Sequence, residues 1–171
     1  MMTAKTMIKD YALTKDSTAE IFTAVNARLS ENNEAGMFAT AWIGILDTQT
    51  KILQYTNAGH NYPVLLRKDQ PCEELKKVHG LFLAGMEFTR YKQSELQLAP
   101  GDRLLLYTDG VVEAHDRDKG LYGMERLEQV LESTRDCPGE QTLERIFSDV
   151  NDFAVGVPQF DDITMVVLTM N

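Results

Sequence analysis

The chain has 171 residues, of which 43% are hydrophobic and 25% charged, and a net charge of −9. These values are typical of one globular domain with a substantial core. The acidic excess argues against binding to nucleic acid or anionic lipid, which both need a basic surface. No apolar run approaches the roughly 20 residues of a membrane span, and the two cysteines form no motif. We therefore expect a cytoplasmic protein with free thiols and no membrane insertion.

Hydrophobic periodicity predicts two helices, then several strands, then two more helices and a final strand. The helices are expected at residues 1–13, 17–32, 124–131 and 143–153. The strands are expected at residues 38–46, 51–57, 63–67, 91–98, 103–107 and 163–168. Ser17 and Glu20 have capping-box spacing at the start of the second helix, and residues 68–74 are predicted to be a loop. This order predicts an α+β fold with helices packed on sheet faces, and it is not the regular alternation of a doubly wound fold.

Two short acidic motifs border two apolar runs. Asp109 ends the run that starts at Arg103, and Asp161 and Asp162 precede the run that ends at Leu168. If the two strands pair antiparallel, about 4.8 Å apart, these carboxylates converge on one sheet edge. Clustered carboxylates repel one another unless a cation lies between them, so the pattern predicts a hard divalent metal site. Each motif taken alone is more typical of a simple turn.

Five segments of the chain resemble those of a known family and occur in that family's order. They are MFATA at 37–41, YTNAGHNYP at 55–63, LQLAPGD at 96–102, LYTDGVVEA at 106–114 and QFDDIT at 159–164. With these segments the chain resembles the SpoIIE/RsbU-type branch of the metal-dependent PPM (PP2C-like) serine/threonine phosphatases. The resemblance covers nearly the whole chain.

The resemblance implies a PP2C-like α/β/β/α sandwich of antiparallel sheets flanked by helices. It also implies hydrolysis of phosphoserine or phosphothreonine by a metal-bound water at a site with two Mn²⁺ or Mg²⁺ ions. Asp109 and Asp161 match the family's metal-binding aspartates and are the predicted catalytic and metal residues. Gly110, which allows close backbone approach, and the adjacent acid Asp162 complete the predicted cofactor-binding set.

The three histidines have different interpretations. His60 belongs to the family's NAGH turn, with Asn57 and Gly59, and is expected to be a structural turn residue; a general acid is the alternative. His79 and His115 match no motif and are expected to face solvent.

The chain departs from the family pattern at its N-terminus. The family's early strands, with a Gly-Asp-Tyr/Phe-Tyr-Asp type motif whose acid bridges both metals, have no counterpart here. We therefore expect residues 1–171 to be a single partial domain that lacks its N-terminal strands. Metal binding should then be weak or absent in this fragment, and its activity impaired. Exposed sheet edges favour a homodimer.

The resemblance also suggests a setting in bacterial signalling. It implies a phosphorylated protein substrate, specifically an anti-sigma-factor antagonist in a partner-switching stress response, and an upstream sensor or receiver domain in a longer protein. The alternative function is that of a non-catalytic regulatory or binding module with a degenerate phosphatase fold.

Overall fold

The computed structural model describes residues 2–31 and 33–171, and within this part it contains four helices and two antiparallel sheets. The helices are α1 (Met2–Ala12), α2 (Thr18–Ser30), α3 (Gly123–Ser133) and α4 (Gly139–Phe153). The strands are β1 (Ala41–Leu46), β2 (Ile52–Ala58), β3 (Val64–Leu66), β4 (Glu73–Glu74), β5 (Ser94–Gln97), β6 (Arg103–Tyr107) and β7 (Met165–Thr169). The predicted α+β class is confirmed. Residues 1 and 32, at the predicted start of the first helix and end of the second, lie outside the described residues.

The chain divides into two compact units. The first unit comprises the described residues up to 60 together with 77–98, and the second comprises residues 61–76 and 99–171. The first contains α1, α2 and a three-stranded sheet in the order β1-β2-β5; the second contains α3, α4 and a four-stranded sheet in the order β4-β3-β6-β7. None of the described helices is both long and apolar enough to cross a membrane.

Helix α2 packs on the sheet of the first unit. Its N-cap is Ser17, whose Oγ accepts a hydrogen bond from Glu20 N, as the capping-box spacing predicts. The core of this unit joins apolar residues of α2 to residues of the sheet and of the segment at 83–91. Its buried members are Ile21, Phe22, Val25, Ala58, Leu83 and Tyr91.

The turn at 57–60, at the end of β2, is held by hydrogen bonds from the side chain of Asn57. Asn57 Oδ1 accepts from His60 N (2.8 Å), and Asn57 Nδ2 donates to His60 O (2.9 Å). Gly59 has a φ of +72°, which a residue with a side chain rarely adopts. These contacts support the structural interpretation of the turn.

The expectation that His79 faces solvent is wrong. His79 is only 6% exposed, because the chain after residue 76 returns across β2 and Asn57 N donates to Nδ1 of His79 (3.0 Å). Its Nε2 lies 2.9 Å from Ser94 Oγ on β5. An accepting Nδ1 places the ring proton on Nε2. Burial, and secondarily the charge of Lys77, lower the pKa of His79.

The core of the second unit lies between its sheet and the two C-terminal helices. Strand β3 is buried throughout, as is most of β6, which explains their continuous apolar runs. The buried helix residues that face this core are Leu127, Leu131, Ile146 and Val150. Strand β4 lies within the predicted loop at 68–74; it is only two residues long, too short for a periodic pattern.

Arg103 ties the start of β6 to both helices of the second unit. Its guanidinium donates to Thr134 O at the end of α3 (2.6 Å), to Cys137 O, and to Thr142 Oγ1 on α4 (3.1 Å). The residue is only 8% exposed, so these charge-assisted hydrogen bonds compensate for the burial of a cation. The positive charge also complements the C-terminal end of the α3 dipole.

We expect Arg103→Lys to lower the free energy of unfolding by about 2 kcal/mol, because an ammonium cannot reproduce the planar set of donors and leaves buried carbonyls unpaired. Denaturant unfolding would measure the loss. The matched control is Arg145→Lys, at an exposed position of α4, which should change stability little. Equal stability of the two variants would contradict the role given to Arg103.

We expect stability to fall with pH through His79. Its folded-state pKa is lowered, so the unfolded chain binds a proton first as the pH drops through about 6.5, and the free energy of unfolding decreases below that pH. His79→Asn keeps an acceptor near Asn57 N but cannot titrate. Thermal unfolding between about pH 7.5 and 5.5 should therefore show a flatter pH dependence in this variant than in the wild type, and an unchanged slope would contradict the role given to His79.

Candidate functional site

The two acidic motifs lie at the same end of the sheet in the second unit. Strands β6 and β7 pair antiparallel, with Arg103 opposite Thr169 and Tyr107 opposite Met165. The chain leaves β6 toward Asp109 at the end where it enters β7 from Asp161. The antiparallel register therefore brings both aspartate segments to one sheet edge.

Thr108 joins the two segments just beyond the paired strands. Its Oγ1 donates to Asp162 O (2.9 Å) and accepts from Thr164 N (2.9 Å), while Thr108 N donates to Thr164 O (3.0 Å). The β6–β7 pairing thus continues for one more residue: Thr108 N keeps a backbone acceptor, and the Thr108 hydroxyl is the acceptor for Thr164 N. Thr108 carries no signal in the sequence beyond its place in the TDG motif.

Gly110 packs directly against the backbone of the second motif. A Cβ on Gly110 would lie 2.7 Å from Asp162 O and 3.1 Å from Asp161 O, closer than a side chain tolerates. The sequence predicted a close backbone approach at Gly110, and in the structure Gly110 lies against the backbone of Asp161 and Asp162. Gly110 allows the segments of Asp109 and Asp161 to lie side by side.

The carboxylates themselves are exposed. Asp109 Oδ1 accepts a hydrogen bond from Gly110 N (3.1 Å), and Asp161 Oδ1 accepts one from Asp162 N (2.7 Å). Each of these bonds restrains a side chain next to its own backbone. A carboxylate offers about four acceptor positions, so both groups retain capacity for a ligand. Asp162 contributes its carbonyl to the contacts with Thr108 and Gly110.

The two carboxylates are the type of donor that a hydrated hard cation takes. Mg²⁺ keeps several water ligands and is usually bound through one or two carboxylates plus substrate phosphate, and both Mg²⁺ and Mn²⁺ favour oxygen ligands. Within residues 2–31 and 33–171, no three His, Cys, Asp or Glu side chains are grouped so that they could bind a metal. Asp109, Asp161 and Asp162 therefore do not form a three-carboxylate cluster.

Gln159 and His115 are further residues at this end that the sequence pattern did not identify. Gln159 Nε2 donates to Asp161 O (2.8 Å) and so restrains the backbone of a candidate ligand. The expectation that His115 faces solvent is only partly right, because the ring is half-buried and packs edge-on against Phe160, with centroids 5.9 Å apart. Gln159 lies two residues from Asp161 in the same segment, but a side-chain contact of this kind has no signature in the sequence. The contact between His115 and Phe160 joins residues that are distant in sequence, so no local pattern reveals it.

Comparison with known proteins gives a family match over the whole chain. The family described as Stage II sporulation protein E (SpoIIE) matches residues 1–171. Protein IcfG of Synechocystis sp. is 32% identical over 142 residues, covering 83% of this chain and 22% of IcfG. Phosphoserine phosphatase RsbU of Bacillus subtilis is 25% identical over 154 residues, covering 88% of this chain and 44% of RsbU. The chain therefore spans less than half the length of either relative.

Solved structures share the fold. The SiaA-PP2C domain of Pseudomonas aeruginosa superimposes with a TM-score of 0.86 at 20% identity, covering 99% of this chain and 68% of that domain. RsbX in complex with magnesium gives a TM-score of 0.67 at 17% identity, covering 97% and 70%. These similarities confirm the PP2C-like fold class that the sequence motifs implied. With the family match over its full length, the chain belongs to the SpoIIE family of PP2C-like phosphatase domains.

Proposed function

We propose that this chain hydrolyses phosphoserine or phosphothreonine esters of a protein at a divalent-metal site built on Asp109 and Asp161. The observation that carries the proposal is the contact of Gly110 with the backbone at Asp161 and Asp162, which leaves room for no side chain and holds the two motifs together. Both carboxylates are exposed, so a phosphoryl group on the surface of another protein can reach them.

The residues of the site have distinct roles in this proposal. Asp109 and Asp161 would hold Mg²⁺ or Mn²⁺ through their carboxylate oxygens. A divalent cation there would offset the negative charge of the phosphoryl group and make water a better nucleophile. Thr108 and Gly110 fix the separation of the two segments, and Asp162 supports them through its carbonyl. The backbone hydrogen bonds to Asp109 and Asp161 orient the carboxylates before a ligand arrives.

The known relatives support this activity. RsbU is a phosphoserine phosphatase, and RsbX has been solved in complex with magnesium. We further propose that the substrate is a phosphorylated anti-sigma-factor antagonist in a bacterial stress response in the cytoplasm, and that an upstream sensor or receiver domain controls the reaction in a longer protein. We propose that Asp109 and Asp161 hold one ion weakly, with low activity, because no third His, Cys, Asp or Glu joins them among the described residues.

We also propose a homodimer. Strand β1 lies at the edge of the three-stranded sheet and consists of six uncharged residues without proline. Such an edge presents backbone donors and acceptors to another strand. A two-fold arrangement is the commonest way to pair two copies of one chain.

A second candidate function is a non-catalytic binding module. The observation that favours it is the lack of a three-ligand metal group among the described residues. Two exposed carboxylates bind a hard cation weakly without further ligands, and a site without its cation would still recognise a partner through shape and charge. The two functions differ in whether phosphate is released.

Asp109→Asn and Asp161→Asn should each reduce Mn²⁺-dependent phosphate release by about a hundredfold or more, since losing about 3 kcal/mol of transition-state stabilisation has that effect on a rate. Each change keeps the side-chain shape and removes one charge. The assay is phosphate release from a small aryl phosphate, with circular dichroism as the folding control. Asp136→Asn, at an exposed aspartate elsewhere in the second unit, should behave like the wild type.

Two outcomes of this assay would redirect the interpretation. Near-normal activity in a folded Asp109→Asn protein would contradict the hypothesis that the site depends on a metal. Wild-type protein without any turnover in Mn²⁺ or Mg²⁺ would favour the binding module.

Calorimetric titration with Mn²⁺ should show at most one weak site per chain. Hard cations need several oxygen ligands, and two carboxylates supply only part of the coordination shell, so water must provide the rest. Asp161→Asn should abolish the heat of binding, and Asp136→Asn should leave it unchanged. Tight binding of two ions would show that additional ligands come from outside the described group, for example from a second copy of the chain.

A further inference from the structure

A pocket adjoins the candidate metal site on the second unit. We call it the side pocket; its main lining residues are Gly110, Ala114, His115, Val155, Phe160 and Ile163. Gly110, at one end, is the residue that follows Asp109 and contacts the second motif. The pocket therefore begins at Gly110, next to the candidate catalytic carboxylates, and is lined further by the loop at 154–160.

The side pocket has the size and character of a side-chain site. Its volume is about 270 Å³, below the roughly 300–1,000 Å³ of pockets that bind small molecules. None of the described residues lining it is acidic, although the segments beside it carry several carboxylates. Val155 and Phe160 are 61% and 75% exposed, an unusual amount for apolar side chains beside a polar site. An apolar side chain with its main chain fits this space better than a cofactor does.

Both walls of the side pocket are restrained by hydrogen bonds. On one wall, Asp116 Oδ1 accepts from Asp118 N (2.9 Å) and Gly120 N (2.8 Å), which closes a short hairpin whose ends pair at His115 and Leu121. On the other, Val157 N donates to Ala154 O (2.9 Å). A pocket held in shape before binding loses less entropy when it is filled.

Arg117 supplies a positive charge at the far rim. A Cβ on Gly156, which lines the side pocket, would lie 2.8 Å from Arg117 Nε and 2.9 Å from its Cζ, so the guanidinium packs directly on the glycine. Among the described residues, no carboxylate forms an ion pair with Arg117. The surrounding acids at 109, 113, 116, 118, 161 and 162 repel an anionic substrate, and Arg117 is placed to offset that repulsion.

We propose that the side pocket and Arg117 select the protein substrate by binding the segment beside its phosphorylated residue. An apolar side chain of that segment fills the pocket, and a carboxylate farther along pairs with Arg117, while the phosphoryl group lies at the aspartates. The proposal rests on the proposed phosphatase function for the position of the phosphoryl group. Its basis is the continuity of the pocket with Gly110 and the charge complementarity at the rim.

The test measures binding separately from turnover. The probes are synthetic phosphoserine peptides in which one Leu and one Glu are moved through the positions flanking the phosphoserine on a Gly/Ser background. One arrangement should bind more tightly than the Gly/Ser peptide. Val155→Ser should raise its dissociation constant about tenfold and Arg117→Glu about fivefold, the effects expected of one apolar contact and one exposed ion pair.

Two substitutions outside the side pocket serve as matched controls for these variants. Val166→Ser changes another exposed valine, on β7 and outside the side pocket, and Lys119→Glu reverses a charge on the same hairpin. Both should leave the preferred peptide's affinity within about twofold, since they touch neither contact. Replacing the peptide's Glu with Lys should restore binding to Arg117→Glu, which a merely structural role of Arg117 would not do.

The outcomes separate the two claims. Equal affinity for all peptides, or equal losses in the controls and the pocket variants, would overturn the role of the side pocket even if the chain hydrolyses an aryl phosphate. Selective binding that the pocket variants abolish would support it, and failure to hydrolyse any phosphate ester in the same preparations would then reject only the phosphatase function. Absence of peptide binding would also overturn the inference.

Discussion

The antiparallel pairing of β6 with β7 is the constraint on which the candidate site depends. It determines that the chain leaves one strand at the edge where it enters the other, so Asp109 and Asp161 are placed together by the backbone. Thr108 continues the pairing through its hydroxyl, and Gly110 removes the side chain that would push the segments apart. The acidic residues themselves contribute little to this arrangement, because their mutual repulsion opposes it.

That repulsion is tolerable only because the carboxylates remain in water. Two unit charges about 4 Å apart in water repel by about 1 kcal/mol, whereas the same pair in a dry interior would be far less stable. The buried charged groups of the second unit instead have hydrogen-bond partners within the protein. Asp102 is 2% exposed and accepts from Arg67 (2.7 Å), and Arg103 donates to the carbonyls of Thr134 and Cys137 and to the hydroxyl of Thr142. Buried charged groups of this unit thus have hydrogen-bond partners inside the fold, whereas the exposed carboxylates of Asp109 and Asp161 keep acceptor positions for a ligand.

The sequence predicted the elements whose signals are local. The capping-box spacing at Ser17 and the apolar run at 103–107 both lie within a few neighbouring residues. The structure has the start of α2 at the first and strand β6 at the second. The convergence of the two acidic motifs was also accessible, since it needs only the assumption of antiparallel pairing. Strand β4 was missed because two residues have no period, and the burial of His79 was missed because it depends on β2 and β5, which are distant in sequence. The hydroxyl bridge of Thr108 and the side pocket depend on the same kind of long-range contact.

At this end of the second unit, paired strands position the two aspartates, whereas loops form most of the side pocket. Strand pairing fixes the backbone near Asp109 and Asp161. The side pocket is lined mainly by residues between 110 and 115 and by the loop at 154–160, and surface loops generally tolerate substitution better than paired strands. Phe160 and Gln159 lie where the two parts meet, one facing the pocket and the other holding the backbone of Asp161. A change in what the loop binds can therefore be made next to the carboxylates without moving the strands that position them.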